Sequence, residues 1–274
     1  MFSHKEEYAL NKLLPEYVSL YHIDLNSGKY EILRIASNTN ARLIAEQVQS
    51  IPAFEKALRE ESPISIRLNP LKTNSGLFGQ EQVPWCKNGY YLQDRPAFTF
   101  DPRFHAGAYY VQEASSMFLD YVIRQHIIRP VRYLYLCAAP GRKSPLALSA
   151  LPEGSLVVCN EIVRNRAHVL AENIIKWGNP YCIVTNNDSA TFNSLKHYFD
   201  VILTDVPCSG EGMFRKDPVA VQEWSASNVG LCSERQKEIL HNIWDALRPG
   251  GILIYSTCTY NTDENELIAD YIQN

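Results

Sequence analysis

The chain has 274 residues, 46% of them hydrophobic, and a formal net charge of −4, enough to bury one large domain or a large and a small one. No apolar run reaches the ~18 residues that cross a bilayer. The opening MFSHKEEYALNK lacks the cationic start and apolar centre of a secretory leader, so a cytoplasmic protein with no membrane partner is expected. Seven cysteines scattered singly, with no Cys-x-x-Cys pair and no clustered histidines, argue against a metal site and for thiols in a reducing compartment. The charge rules out a chain that is basic throughout and leaves room for a local phosphate-binding patch.

In chain order, residues 1–50 form a segment of unclear origin. It contains a predicted hairpin, YVSLYHIDLNSGKYEILRIA, turning at Asn26-Ser27-Gly28, and the start of a helical stretch, NARLIAEQVQSIPAFEKALREE. Residues 51–125, rich in Pro, Tyr and Phe from about residue 62, read as a small subdomain and a lead-in helix. Residues 126–274 read as the main domain.

From Val131 a unit repeats. VRYLYLCAAPGRKS is a strand, a turn and a helix start, with Pro145 in the first helical turn, where a missing N–H costs nothing. SLVVCNE ends at Glu161, and the helix IVRNRAHVLAENIIKWG that follows is expected to bury Ile162, Val169, Ile174 and Trp177 and to stop at Gly178. YCIVTNND ends at Asp188 and FDVILTD at Asp205. A long helix with Ile239, Leu240, Ile243, Trp244 and Leu247 on one face is expected to end at Pro249-Gly250-Gly251, before the strand ILIYST. Such an alternation predicts an α/β fold with a mainly parallel sheet covered on both faces.

Open parallel sheets bind ligands at the carboxyl ends of their strands, so the strand-end residues are the candidates. CAAPGRKS opens a helix whose N–H groups could hold an anion. Glu161, twenty residues after Gly141, has the spacing of a carboxylate that binds ribose hydroxyls. The loop is not Gly-x-Gly-x-x-Gly, which disfavours a nicotinamide dinucleotide. A nucleoside cofactor without a pyrophosphate, such as S-adenosylmethionine, suits it better, with Asp188 placed to accept from the adenine amino group. For Glu161, Asp188 or Asp205 taken singly, entry of the chain into solvent is an equally good reason for an acidic residue. Cys137, Cys159 and Cys182 are expected as small core residues, and Cys86 and Cys232 as incidental. Cys208, in DVPCSGEG, and Cys258, in YSTCTY, each follow a strand. If those strands are neighbours, ~4.8 Å apart, the two thiols face one another near Asp205, which suggests chemistry using two thiols in succession.

These stretches, with SIRLNPLK and FHAGAYYVQEASSMF upstream, resemble the motifs of the Sun/Nop family of RNA cytosine-5 methyltransferases over roughly Ser62 to Glu266. The resemblance implies a Rossmann-like S-adenosylmethionine-dependent methyltransferase fold with a small N-terminal α+β subdomain that binds RNA. It further implies an RNA substrate, ribosomal RNA ahead of transfer RNA, with 5-methylcytosine as product and no metal. On the same basis Cys258 adds to carbon 6 of cytosine, Cys208 assists release, Asp205 holds the amidine edge of the base, and Lys143 lies near the reacting centre. Cys137, Ala138, Ala139, Pro140, Gly141, Arg142 and Lys143, with Glu161, Asp188 and Asp205, surround the cofactor. The chemistry agrees: carbon 5 of cytosine is a poor nucleophile, and covalent addition at carbon 6 splits one hard step into two easier ones. The attacking thiol needs a nearby positive charge or hydrogen-bond donors to ionise, and Lys143 and the sulfonium itself are candidates.

The sequence departs from the family pattern in three places. Tyr135 stands where an aspartate is usual. Arg142 stands where a second glycine is usual, and would either obstruct the methionine part or swing outward. The chain stops eight residues after Glu266, so its fifth strand is expected to be a bare edge that lowers solubility or promotes dimers, unless another segment such as Tyr17 to Ala36 covers it. The alternative reading is an RNA-binding relative that has lost its cofactor.

Overall fold

The computed structural model describes residues 18–24, 29–33, 63–73, 81–214 and 216–273, the first two stretches by backbone alone. The helix expected after Ala36 lies outside them. The chain divides into two compact units: Pro63–Asp188 belong to the first, and the chain from Ser189 onward to the second. The second unit also contains β1 (Val18–Asp24) and β2 (Lys29–Leu33), an antiparallel pair with Leu20 opposite Leu33 and Asp24 opposite Lys29. This is the predicted hairpin.

The first unit begins with β3 (Ile64–Leu68), β4 (Gly89–Leu92), a short helix α1 (Pro102–His105) and β5 (Tyr109–Val111). The three strands form an antiparallel sheet in the order β4-β3-β5. Ile66, Leu68, Leu92 and Tyr109 make its core. On β3 the side chains alternate: Arg67 is 1% exposed and lies 4.5 Å over the Trp177 ring, its Nε donating to Gln112 Oε1 at 2.8 Å. Asn69 completes the joint by donating to the carbonyls of Gly107 and Trp177.

The helix α2 (Phe118–His126) leads into a parallel sheet of β6 (Arg132–Leu136), β7 (Leu156–Asn160) and β8 (Cys182–Thr185), in the order β6-β7-β8. Tyr133, Leu134, Tyr135 and Leu136 are all buried, so β6 is covered on both faces, as its unbroken apolar run requires. Tyr135 is therefore a core residue of β6. Between the strands lie α3 (Ser144–Ala150), with Pro145 in its first turn, and α4 (Arg164–Trp177). The buried face of α4 is Ala167, Leu170, Ile174 and Trp177, whereas Ile162 and Val169 are exposed. The expectation holds for Ile174 and Trp177 and fails at the other two positions: Ile162 precedes the helix, and Val169 is turned ~100° from Leu170. Gly178 caps α4 at φ 84°, its N–H donating to Ile174 O at 3.0 Å.

In the second unit the passage to β9 (Phe199–Asp205) is a 3-10 turn, Ser189–Ser194, where the alternation predicts a helix. α5 (Pro218–Glu223) and α6 (Ala226–Ile243) follow, then β10 (Leu247–Ser256) and α7 (Glu266–Gln273). α6 ends at Ile243, ahead of Pro249-Gly250-Gly251; that tripeptide falls where the β9–β10 register shifts between Leu247 and Ile252, with Gly250 at φ 69°. The glycines serve a bulge within β10, which a helix-stop reading of Pro-Gly-Gly misplaces. The expected bare edge is also corrected. β1 runs antiparallel along β10, with Val18 opposite Ser256, Leu20 opposite Ile254 and His22 opposite Ile252, and the strands of this unit are ordered β2-β1-β10-β9.

Candidate active site

β9 and β10 run parallel with Asp205 opposite Ser256, so both strands finish at the same level. The chain leaves each through a short turn, and the two turns carry Cys208 and Cys258. Their sulfurs lie 3.1 Å apart as thiols, and the Cys258 N–H donates to Cys208 Sγ at 3.3 Å. The contact with the Cys258 thiol, followed by burial, pushes the Cys208 thiol far above its ordinary range, with backbone hydrogen bonds at Cys258 and Gly210 opposing only in part. The two thiols are thus held within hydrogen-bond reach, with either sulfur able to donate. Asp205 accepts from Ser256 Oγ at 3.1 Å at the base of the same turns.

The turns are stitched together by residues to which the sequence reading gave no role. Glu264, fully buried, accepts the Ser209 N–H at 3.0 Å and the Gln236 amide at 2.8 Å. Glu211 accepts the Tyr260 N–H at 2.7 Å, and Gly212 N donates to Cys258 O at 2.8 Å. The Asn261 amide lies within 3.1 Å of Glu211 Oε1 and 2.8 Å of Glu264 Oε1. Asn265 accepts from Thr257 Oγ1 at 2.7 Å and donates to Thr259 O at 3.2 Å, bracing the backbone on both sides of Cys258. Tyr255 Oη sits 2.9 Å from Gln236 Oε1 and 2.7 Å from Glu264 O.

The other candidates belong to the first unit. The loop after β6 enters through Cys137 at φ 55° and turns at Gly141 at φ 95°, where a Cβ would come within 3.1 Å of Leu170 Cδ1. Two side chains of α4 hold its carbonyls: Arg166 donates to Ala139 O at 2.9 Å and Asn173 to Pro140 O at 2.7 Å. Ala138 and Ala139 are buried and Pro140 is exposed. Lys143 is buried at the start of α3, while Arg142 is exposed and its charge is felt by Tyr110. Glu161, 1% exposed just past β7, accepts the Ala139 N–H at 3.3 Å and the Val163 N–H at 3.0 Å, with Arg166 at 3.6 Å. Its carboxylate thereby fixes the loop it was expected to work beside. Asp188 is exposed at the end of a segment that Asn160 holds through Thr185 Oγ1 and both backbone groups of Asn187.

Cys159 is buried in β7, Cys86 and Cys232 are buried, and Cys137 and Cys182 are half-buried. Among the described residues no three His, Cys, Asp or Glu side chains converge to hold a metal ion, and no helix is long and apolar enough to cross a membrane.

Solved structures share this fold. That of a methyltransferase homolog protein from Pyrococcus horikoshii is 27% identical with a TM-score of 0.67, covering 79% of this chain and 71% of its own. The structure of PH0851 gives a TM-score of 0.72 at 22% identity, covering 84% of this chain and 55% of its own. The fold is thus the Rossmann-like one of the methyltransferases. Residues 129–274 match the 16S rRNA methyltransferase RsmB/F family, and residues 38–114 match the N-terminal domain of 16S rRNA methyltransferase RsmF. The chain belongs to the RsmB/F family, as its motifs implied. Curated relatives called ribosomal RNA small subunit methyltransferase F are 35% identical over 81% of this chain in Pectobacterium atrosepticum and 37% identical over 76% in Shewanella oneidensis. The chain spans about half the length of these relatives, 48% and 47%.

Proposed function

We propose that this chain methylates carbon 5 of a cytosine in small-subunit ribosomal RNA through a covalent adduct to Cys258, with S-adenosylmethionine as methyl donor. The observation that carries the reading is the 3.1 Å contact between the Cys208 and Cys258 sulfurs at the ends of two register-matched strands. A single nucleophile would not need a second thiol held this close.

The donor set of the first unit suits the cofactor. Each oxygen of the Glu161 carboxylate takes one backbone N–H, which leaves lone pairs for ribose hydroxyls. Asp188 offers a second carboxylate past the neighbouring strand, and the turn at Gly141 opens α3 behind Lys143. When bound, the cofactor supplies an electrophilic methyl group.

The second unit's residues act on the base. The Cys258 thiolate adds to carbon 6, and the displaced electron pair enriches carbon 5. Asp205 receives the amidine edge, which selects cytosine over uracil. After methyl transfer, a water molecule accepts the carbon 5 proton, the C–H electron pair restores the ring double bond, and the C6–S bond breaks to release the Cys258 thiolate. Cys208, holding its proton, hydrogen-bonds the departing thiolate and makes it a better leaving group.

The test incubates the protein, Cys258→Ala and Cys208→Ala with small-subunit ribosomal RNA and S-adenosylmethionine, followed by a denaturing gel and nucleoside analysis. Cys258→Ala should give neither 5-methylcytosine nor adduct. Cys208→Ala should accumulate an RNA-linked band. A shifted band for Cys258→Ala alone reverses the two roles, and no product from the unaltered chain overturns the reading.

A further inference from the structure

The polar stitching around the two thiols has a reciprocal form. Glu211 lies on the Cys208 side and takes a backbone N–H from the Cys258 side, that of Tyr260 at 2.7 Å. Glu264 lies on the Cys258 side and takes a backbone N–H from the Cys208 side, that of Ser209 at 3.0 Å. Ser209 is the residue after Cys208, and Tyr260 is two past Cys258. Each carboxylate therefore grips the backbone beside the other side's thiol. Asn261 lies at the centre, its amide within hydrogen-bond reach of both carboxylates and of Ser209 Oγ at 3.2 Å. Two further donors anchor the outer sides, Trp224 Nε1 on Glu211 at 3.2 Å and Gln236 Nε2 on Glu264 at 2.8 Å.

Two buried carboxylates a few residues from a reactive thiol are a costly way to join two loops. Apolar contacts would stabilise them as well or better, and buried polar clusters are best attested where they fix one arrangement among several. The arrangement fixed here is the separation of the two sulfurs.

We propose that Glu211 and Glu264 are positioning residues forming a reciprocal clasp, in which Glu211 seats the attacking thiol and Glu264 seats the releasing one. This deepens the proposed function and rests on it for the two thiol roles. The clasp is asymmetric in its consequences. Releasing Glu211 frees the Tyr260 N–H and loosens the Cys258 turn, so attack fails. Releasing Glu264 frees the Ser209 N–H and loosens the Cys208 turn, so attack proceeds and elimination lags. Glutamine is the informative substitution at both positions, because each carboxylate oxygen already faces a donor and the new amide must set N–H against N–H at one of them.

The experiment has two readouts on the 274-residue chain, Glu211→Gln and Glu264→Gln, with circular dichroism melting to confirm that each folds. First, with small-subunit ribosomal RNA and S-adenosylmethionine, Glu264→Gln should raise the fraction of protein trapped as RNA adduct at least about threefold while slowing product formation. Glu211→Gln should slow product formation by about tenfold or more with no adduct above that of the unaltered chain. Second, without RNA, diamide removes two electrons and two protons from the thiol pair to close a Cys208–Cys258 disulfide. That closure should be fast in the unaltered chain and about tenfold slower in each variant. Variants that close the disulfide at the unaltered rate overturn the clasp, as does an equal loss of product in both with no difference in adduct. An unaltered chain that makes no 5-methylcytosine overturns the functional reading instead, and the diamide rates then still decide whether the clasp sets the sulfur separation.

Discussion

The loop after β6 and the turns after β9 and β10 are held by different means. The first is shaped by backbone, with Cys137 and Gly141 in the left-handed region and an N–H from Gly141 to Ala138 O at 2.8 Å, and by side chains from the single stretch 161–173, Glu161 beneath it as hub and Arg166 and Asn173 on its carbonyls. The second is shaped by side chains far apart in sequence, with Gln236, Glu211, Asn261, Glu264 and Asn265 meeting around two sulfurs. A loop built on one hub fails when the hub is removed, whereas a meshwork yields in stages. The contrast makes the first unit sensitive to single backbone conditions and the second to the strands that bring its distant parts together.

The largest expected effect tests the second half of that contrast. Leu20→Pro removes a ladder N–H from β1, which lies between β10 and β2, and leaves its acceptor unpaired, which should cost up to about 3 kcal/mol in chemical denaturation. A stability within 0.5 kcal/mol (a surface-like effect) would mean β1 does not brace β10 in solution. Next, Glu161→Ala strips the first unit of its hub and leaves the Ala139 and Val163 N–H groups without their acceptor. The affinity for S-adenosylmethionine by calorimetry should fall roughly 30-fold, about 2 kcal/mol, while diamide closure of the thiol pair keeps its rate. Loss of both together would break the comparison.

A third prediction concerns pH. Burial first, then the charge of Asp120, pushes the Cys86 thiol of the first unit from 9.0 up to about 12. The unfolded thiol therefore ionises before the folded one. The Cys86 contribution is fully present below pH 9 and is lost as pH rises toward about 12, at up to about 1.4 kcal/mol per pH unit. Cys86→Ala should flatten that alkaline arm of a stability profile. The smallest effect is at Gly178, whose φ of 84° caps α4 and whose added Cβ would lie 3.2 Å from Lys72 Cε. Gly178→Ala should cost about 1 kcal/mol, read as a small drop in melting temperature.

The contrast also marks what the sequence could disclose. Strand ends at Glu161 and Asp205, the turn at Gly141 and the cap at Gly178 were legible because glycine, proline and apolar runs act locally. So was the facing of Cys208 and Cys258, once their strands were taken as neighbours. On α4, Ile174 and Trp177 were legible, but Val169 was taken in place of Leu170 because the two are equally apolar, and only packing against the rest of the first unit chooses Leu170. Glu211, Glu264 and Asn261 were silent because a run such as YNTDENE reads as solvated. One signal was present: Gln236 shares the buried face of α6 with Cys232, Ile239 and Leu240, and a polar side chain on an apolar face demands a partner. The pairing of β1 with β10 could be raised only as the alternative to a bare edge, because nothing local in Tyr17 to Ala36 names its partner strand.

That pairing has a consequence for the order of events in folding. Val18 at the start of β1 meets Ser256 at the end of β10, so almost the whole chain must be spanned before the ladder can close. The first unit's strands lie within one continuous stretch and can assemble as it emerges during synthesis. The second cannot, because its early hairpin has nothing to add to until β10 arrives, and contacts of such long range form slowly. During that interval β1 and β2 are a lone two-stranded hairpin, which is marginal in water and open to intermolecular pairing. The second unit's strands thus come together late, and β1, the earliest-made of the described strands, is among the last to find its place.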